Sequence, residues 1–288
     1  MDVDMMDLAE IMEAEEITEK DVQDIDEIEH FDRILPMEVS TEVPGMEQAV
    51  ICGDPIRLGG ELDFQQGFDN PYGAFGTCGL NAIANICYIG GKDVSEVEVV
   101  EYAMENDLCT KDDPGFHGGG TTIGQQLKIL EHYGFPSHCE FSNVADSERL
   151  AEAVEGGHGV LLGLNSGLLQ DREWKIYNDD GEITATHAVC LTGTVRDAET
   201  GELRGFYLCD SSSQNPEGGR TFLTLDAFRA CYSDVQGSYA VITDKPIRGM
   251  DAVGETEEKM KEDPDLNPKN NIVGYCIFAQ WSNGHVVV

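Results

Sequence analysis

From residue 79 onward the apolar positions fall into two successive rhythms. Over residues 79–89 they sit at Leu80, Ile83, Ala84, Ile86 and Cys87, one broad helical face, and Gly90-Gly91 ends the run. Residues 95–106 repeat the period with Val97, Val100, Tyr102 and Met104 behind Ser95, a residue type suited to an N-cap. Residues 122–133 do so again with Ile123, Leu127, Leu130 and Tyr133, stopped by Gly134 and Pro136, and 147–155 is a short fourth helix. Downstream the period disappears. Residues 159–164, 187–195, 203–210 and 238–243 are short runs of Val, Leu and aromatics that predict strands, with a helix over 224–232 before the last. The stretch 197–201 predicts a hairpin turn between two of them. Helices first and an antiparallel sheet second is the order of an α+β fold.

Charge changes this picture more than bulk composition does. The 288 residues are 41% apolar and 25% charged, ordinary for a globular chain with a sizeable core, but 55 acids against 18 bases leave it at −37. A polyanion of that size repels phosphate backbones and anionic lipid, which excludes nucleic acid and membrane surfaces as expected partners. No apolar run approaches the roughly 18–20 residues that span a bilayer. The N-terminus lacks the basic and apolar regions of a secretory signal, so the expected location is the cytoplasm, or outside the cell by a route without a cleaved signal peptide. The acids concentrate at the start: residues 1–50 carry 17 acids and 2 bases, a net of −15, and the other 238 residues a net of −22. In this head, Thr18 and Asp21 resemble a capping box ahead of Val22, Ile25, Ile28, Phe31 and Leu35, a helical stripe closed by Pro36 and Pro44. Three regions are therefore expected: 1–50, a leader, propeptide-like or partner-binding segment; 51–245, the folded domain; and 246–288, a polar linker with a strand near 272–279.

Nine cysteines, an odd number with no Cys-x-x-Cys pair, argue against structural zinc and for a reducing compartment. Several lie inside apolar runs as small buried hydrophobes, Cys190 and Cys209 among them. Cys78 differs. It sits in Phe75-Gly76-Thr77-Cys78-Gly79-Leu80-Asn81, among small residues at a helix start, where backbone N–H groups and the helix dipole stabilise a thiolate. His187 stands at the leading edge of an apolar strand, in Thr186-His187-Ala188-Val189, and Asp210 ends the next strand, in Leu208-Cys209-Asp210-Ser211. If these strands pair through the 197–201 turn, the start of one lies beside the end of the other, and a carboxylate can then fix the imidazole's tautomer and orientation. Taken singly, a Cys at a helix start is as often structural as reactive, and a His or Asp at a strand end is more often structural. Together, in matching topology, the three point to nucleophilic catalysis.

In this order and context the residues resemble the papain-like cysteine peptidases. The likeness is nearest to the bacterial peptidases that cut double-glycine leaders from bacteriocin precursors, and to their stand-alone relatives. It rests on an upstream Gln, the Cys-Gly that opens a helix, the His-Ala-Val strand and the Asp that ends the next strand. The resemblance implies a bacterial protein with a papain-like fold, an N-terminal helical lobe packed on an antiparallel β-sheet lobe. It implies cleavage of peptide or protein amide bonds through a thioester acyl-enzyme, with no cofactor. Carried over, Cys78 is the nucleophile, His187 the base, Asp210 the group that orients the histidine, and Gln66 or Gln65 completes the oxyanion hole. Two departures stand out. The family's glutamine lies closer to the cysteine than Gln66 and Gln65, which precede Cys78 by 12 and 13 residues, so the loop 67–77 would have to bulge out and return. Ser211 also stands where a proline commonly follows the aspartate.

The same apparatus serves deamidation and transglutamination, so a papain-fold toxin or effector is the alternative within this class. Outside it, the alternative is a catalytically idle binding module with a structural Cys78. A peptide or protein substrate is the expected partner of the cleft; a chaperone, immunity protein or inhibitor is that of residues 1–50. The remaining motifs carry less. Gly118-Gly119-Gly120-Thr121-Thr122 lacks the lysine of a phosphate-binding loop and predicts a flexible loop with a Thr N-cap. His138 and Cys139 adjoin and do not share a metal, His117 and His158 lie in Gly-rich turns expected at the surface, and no calcium loop appears.

Overall fold

The strand runs assemble into one antiparallel sheet, and its hub is the run that begins at His187. The computed structural model describes residues 30–40, 43–67, 70–111, 118–170, 183–212 and 218–248, with two short strands at Gln280–Ser282 and His285–Val287. Its sheet strands are β1 (Met37–Ser40), β2 (Ala49–Cys52), β3 (Ser137–Phe141), β4 (Val160–Leu164), β5 (His187–Asp197), β6 (Leu203–Cys209), β7 (Thr221–Thr224) and β8 (Tyr239–Thr243). The helices are α1 (Pro55–Glu61), α2 (Cys78–Ile89), α3 (Glu96–Glu105), α4 (Ile123–His132), α5 (Ser147–Glu155), α6 (Ser166–Gln170) and α7 (Leu225–Cys231). The fold is α+β. Strands follow the order β3-β8-β4-β5-β6-β7, and the hairpin β1–β2 lies along the second half of β5, on the edge whose first half carries β4.

β5 is buried along nearly its whole length because the sheet is covered on both faces. Leu161, Ala188, Cys190 and Val241 pack with Leu80, Ile83 and Ile86 of α2, Val99 and Val100 of α3, and Ile129 and Leu130 of α4. The alternate residues Leu162, Val189, Leu191 and Ile242 pack with Leu150 and Val154 of α5 and with Phe228 of α7. This is the period-2 alternation of a strand with two apolar faces. Each fully buried Leu or Ile contributes about 1.5–3 kcal/mol, so both layers are strongly held to the sheet. The helix ends follow their capping residues. Ser95 and Thr122 form capping boxes with Glu98 and Gln125, and Asp146 and Thr224 cap α5 and α7.

The N-terminal region differs from its expectation. Phe31 and Leu35 lie in non-helical chain leading to Pro36, so the described part of the stripe is not a helix. Phe31 stacks 4.4 Å from the His158 ring and under the Arg149 guanidinium at 3.9 Å. The N–H groups of Ile34 and Leu35 donate to the Glu155 carbonyl at 3.1 and 3.0 Å, satisfying an orphan acceptor at the end of α5. β2 then pairs with β5 from Ala49–Asp197 to Cys52–Thr194, across the expected boundary at residue 50. The stripe residues Val22, Ile25 and Ile28 and the strand expected near 272–279 lie outside the described residues.

Candidate active site

The turn at 197–201 joins β5 to β6. The Asp197 carboxylate accepts from the N–H groups of Glu199 and Thr200, and Gly201 closes the turn at φ +73. The pairing sets Cys190 opposite Cys209, which brings the first residue of β5 beside the residue that follows β6. His187 Nε2 and Asp210 Oδ1 meet there at 2.8 Å, both side chains buried. The same Oδ1 accepts from the Ser212 N–H at 3.0 Å and the Ser212 hydroxyl at 2.8 Å, so the carboxylate is fixed before it reaches the ring.

Cys78 is the first residue of α2, and its sulfur faces the His187 ring and the N–H groups of Ala188 and Gly79. With Nε2 taken by Asp210, Nδ1 is the ring nitrogen left for the thiol. Burial pushes the Cys78 thiol up, but the His187 ring and the two N–H groups outweigh it and hold the thiol below its ordinary value. Burial works against a protonated imidazole, yet the Asp210 carboxylate and the Cys78 sulfur raise His187 to about 10. Burial likewise opposes ionised Asp210, and His187 and Ser212 hold its carboxyl below the usual range. The arrangement favours thiolate, imidazolium and carboxylate in a row.

Of the two glutamines, Gln66 is tied into this corner and Gln65 is exposed at its edge. Gln66 Nε2 donates to the Phe75 carbonyl at 2.7 Å, its Oε1 accepts from the Ser211 hydroxyl at 3.0 Å, and its N–H donates to the Ser211 carbonyl at 2.9 Å. Ser211 thus binds the glutamine to the strand end that carries Asp210, a contact proline would not supply. The intervening chain does bulge out and return. Asn70 Nδ2 donates to the carbonyls of Gly67 and Ala74, and Asn70 Oδ1 accepts from the Ala74 N–H. An added Cβ at Gly67, with φ +79, would lie 3.0 Å from the Ala74 oxygen, so a glycine fits this crossing. Ser211 and Phe75 thus take the Gln66 oxygen and one of its two amide protons.

The glycine-rich segment is a wall of this corner rather than a flexible loop. Gly76 donates to the Gly118 carbonyl at 3.0 Å, and Gly119, at φ +97, passes so close that a Cβ would lie 2.6 Å from Thr77 Cγ2. Thr122 caps α4 as expected. His158 is buried, not surface-exposed: Nδ1 lies 2.6 Å from the Thr243 carbonyl where β4 and β8 pair, and burial holds its pKa down. His138 contacts Glu140 and Asp244, and His117 lies outside the described residues. Sequence reasoning missed Asn70 and the buried Glu96, whose carboxylate holds the Gly67 N–H. Asn70 lies in a turn-rich loop that gave no signal, and Glu96 is one acid among 55.

Among the described residues, no group of three or more His, Cys, Asp or Glu side chains is placed to hold a metal ion, and no helix is long and apolar enough to cross a membrane. The eight described cysteines are all free thiols. No protein-family model and no curated protein matches the chain. A solved structure titled "Crystal structure of a double glycine motif protease from AMS/PCAT transporter in complex with the leader peptide" is similar over 58% of this chain and 84% of its own, at 14% identity and a TM-score of 0.35. So loose a likeness assigns no chemistry, which rests on the side chains themselves.

Proposed function

We propose that this protein is a cysteine hydrolase of peptide or protein amides, with Cys78 as nucleophile, His187 as acid and base, and Asp210 as the group that orients His187. The observation that carries this reading is His187 held between the Cys78 sulfur and the Asp210 carboxylate, 2.8 Å from the latter, at the start of a helix. The Cys78 thiolate attacks the substrate carbonyl, and the C–S bond forms as the π electrons move to oxygen. The oxyanion is met by the Cys78 N–H and the remaining Gln66 amide proton. As the tetrahedral species collapses the C–N bond breaks, and His187 gives its proton to the departing amine. Water then attacks the thioester, giving a proton to His187, and the carboxylic acid leaves as the sulfur returns to thiolate.

Brief iodoacetamide treatment at pH 6 followed by peptide mapping tests the premise. An ordinary thiol of pKa about 8.5 is almost wholly protonated there and reacts slowly. Fast labelling confined to Cys78, and slowed in His187→Ala, is the expected result. Labelling that is slow, or spread over several cysteines, would overturn the reading.

A further inference from the structure

The loop from Gln66 to Thr77 carries one proposed oxyanion donor at its start and leads into the other at its end, so something must hold its two arms at a fixed spacing. Gln66 and Asn70 tie the arms from within, and one further side chain comes from neither arm. Glu96, the first residue of α3 and 5% exposed, accepts the Gly67 N–H with both carboxylate oxygens, at 2.9 and 3.2 Å. The Thr77 hydroxyl and the Asn81 amide nitrogen, on either side of Cys78 in sequence, are buried nearby and make no hydrogen bond. One buried acid therefore holds the residue after Gln66 and lies beside the start of α2. Burying a carboxylate is costly unless its oxygens are satisfied, and these are satisfied by the loop. Burial raises Glu96 to about 7, and the neighbouring Asp63 adds to the rise.

We propose that Glu96 is a positioning residue for the oxyanion hole: its carboxylate fixes Gly67 beside the start of α2, so that the Gln66 amide and the Cys78 N–H aim at one oxygen. This rests on the cysteine-hydrolase reading above and adds to it a residue that touches neither substrate nor nucleophile. It separates two properties of Cys78. Thiolate formation depends on His187 and Asp210, whereas acyl transfer depends in addition on the loop that Glu96 holds.

Two probes separate these properties. Iodoacetamide alkylates a thiolate by displacement at carbon and forms no oxyanion. p-Nitrophenyl acetate acylates it through a tetrahedral oxyanion, with release of p-nitrophenolate. In Glu96→Gln we expect acylation of Cys78 by p-nitrophenyl acetate to fall by roughly 10- to 100-fold, less than the loss of a whole oxyanion donor, with alkylation at pH 6 changed by less than about twofold. Glu96→Ala should show a larger loss in the same ratio. Should Glu96→Ala not fold, Glu96→Gln, close in size, still decides the matter. Equal falls in both rates would make Glu96 a merely structural support of α2, and two unchanged rates would remove it from the oxyanion hole; either overturns the proposal. The underlying reading fails separately, if the unmodified chain is not rapidly alkylated at Cys78.

Discussion

The two ends of β5 both hold buried charge, and they use it differently. At the first end His187 lies between Cys78 and Asp210. At the other, about 23 Å along the strand, Glu155 of α5, 1% exposed, accepts from Arg196 at 2.6 Å, from Arg33 at 2.6 Å and from the Thr194 hydroxyl at 2.9 Å. Arginine does not give up its proton in a protein, so the far cluster is a fixed fastening between N-terminal segment, helix and sheet. The near cluster is built from titratable groups, and in the proposed reaction one of them is the nucleophile. Buried ion pairs alone thus do not mark a site of chemistry; titratable partners beside a thiol at a helix start do.

Substitutions at the two ends should give opposite signatures. Cys78→Ala removes acyl transfer, a loss on the order of 10⁴–10⁶ in rate for a nucleophile that acts as one unit with its base, measured by p-nitrophenolate release; full activity would end the comparison. His187→Ala should slow alkylation at pH 6 by about 100-fold and return the pH profile to an ordinary thiol titration. In the unmodified chain the alkylation profile should show thiolate below the ordinary thiol range, and turnover should fall again as His187 loses its proton near 10. His187, raised above its unfolded value, stabilises the fold fully below about 6.5 and loses that contribution as pH rises through about 10. Asp210, held low, contributes above its ordinary value and loses this as pH falls.

Glu155→Ala, by contrast, should leave Cys78 alkylation unchanged while costing about 3 kcal/mol in urea unfolding, because Arg196 is left buried with a poorer partner. A rate change at Cys78 would mean that the two ends are coupled through β5. The smallest effect is expected for Arg33→Ala, at most about 1 kcal/mol by the same measurement, since Arg33 is half exposed.

The sequence made the centre of the molecule legible and left its margins dark. Helices α2 to α5 announce themselves through apolar periodicity and strands β4, β5, β6 and β8 through nearly unbroken apolar runs, and the β5–β6 turn is enough to bring His187 and Asp210 together. Strands β1, β2, β3 and β7 are four or five residues long. β3, Ser-His-Cys-Glu-Phe, also carries two ionisable residues whose partners come from elsewhere, among them Arg149 for Glu140 at 2.7 Å. No local pattern reports such partners. The described end of the expected head helix departs from it for a related reason: the positions of Phe31 and Leu35 are set by Arg149, His158 and the open carbonyl of α5 rather than by their own spacing. Gln66 could be named but not distinguished from Gln65, because that choice depends on how Asn70 folds the loop back.

The hairpin β1–β2 governs where the chain can be shortened. A chain beginning at His30 keeps Arg33 on Glu155 and β2 along β5. One beginning at residue 51 loses β1 and the half of β2 that pairs with Arg196 and Asp197, baring backbone N–H and carbonyl groups on a sheet edge. Bared edges recruit strands from other molecules, so the shorter chain should self-associate, and a change in its rate would report a damaged sheet rather than the removal of an inhibitory leader.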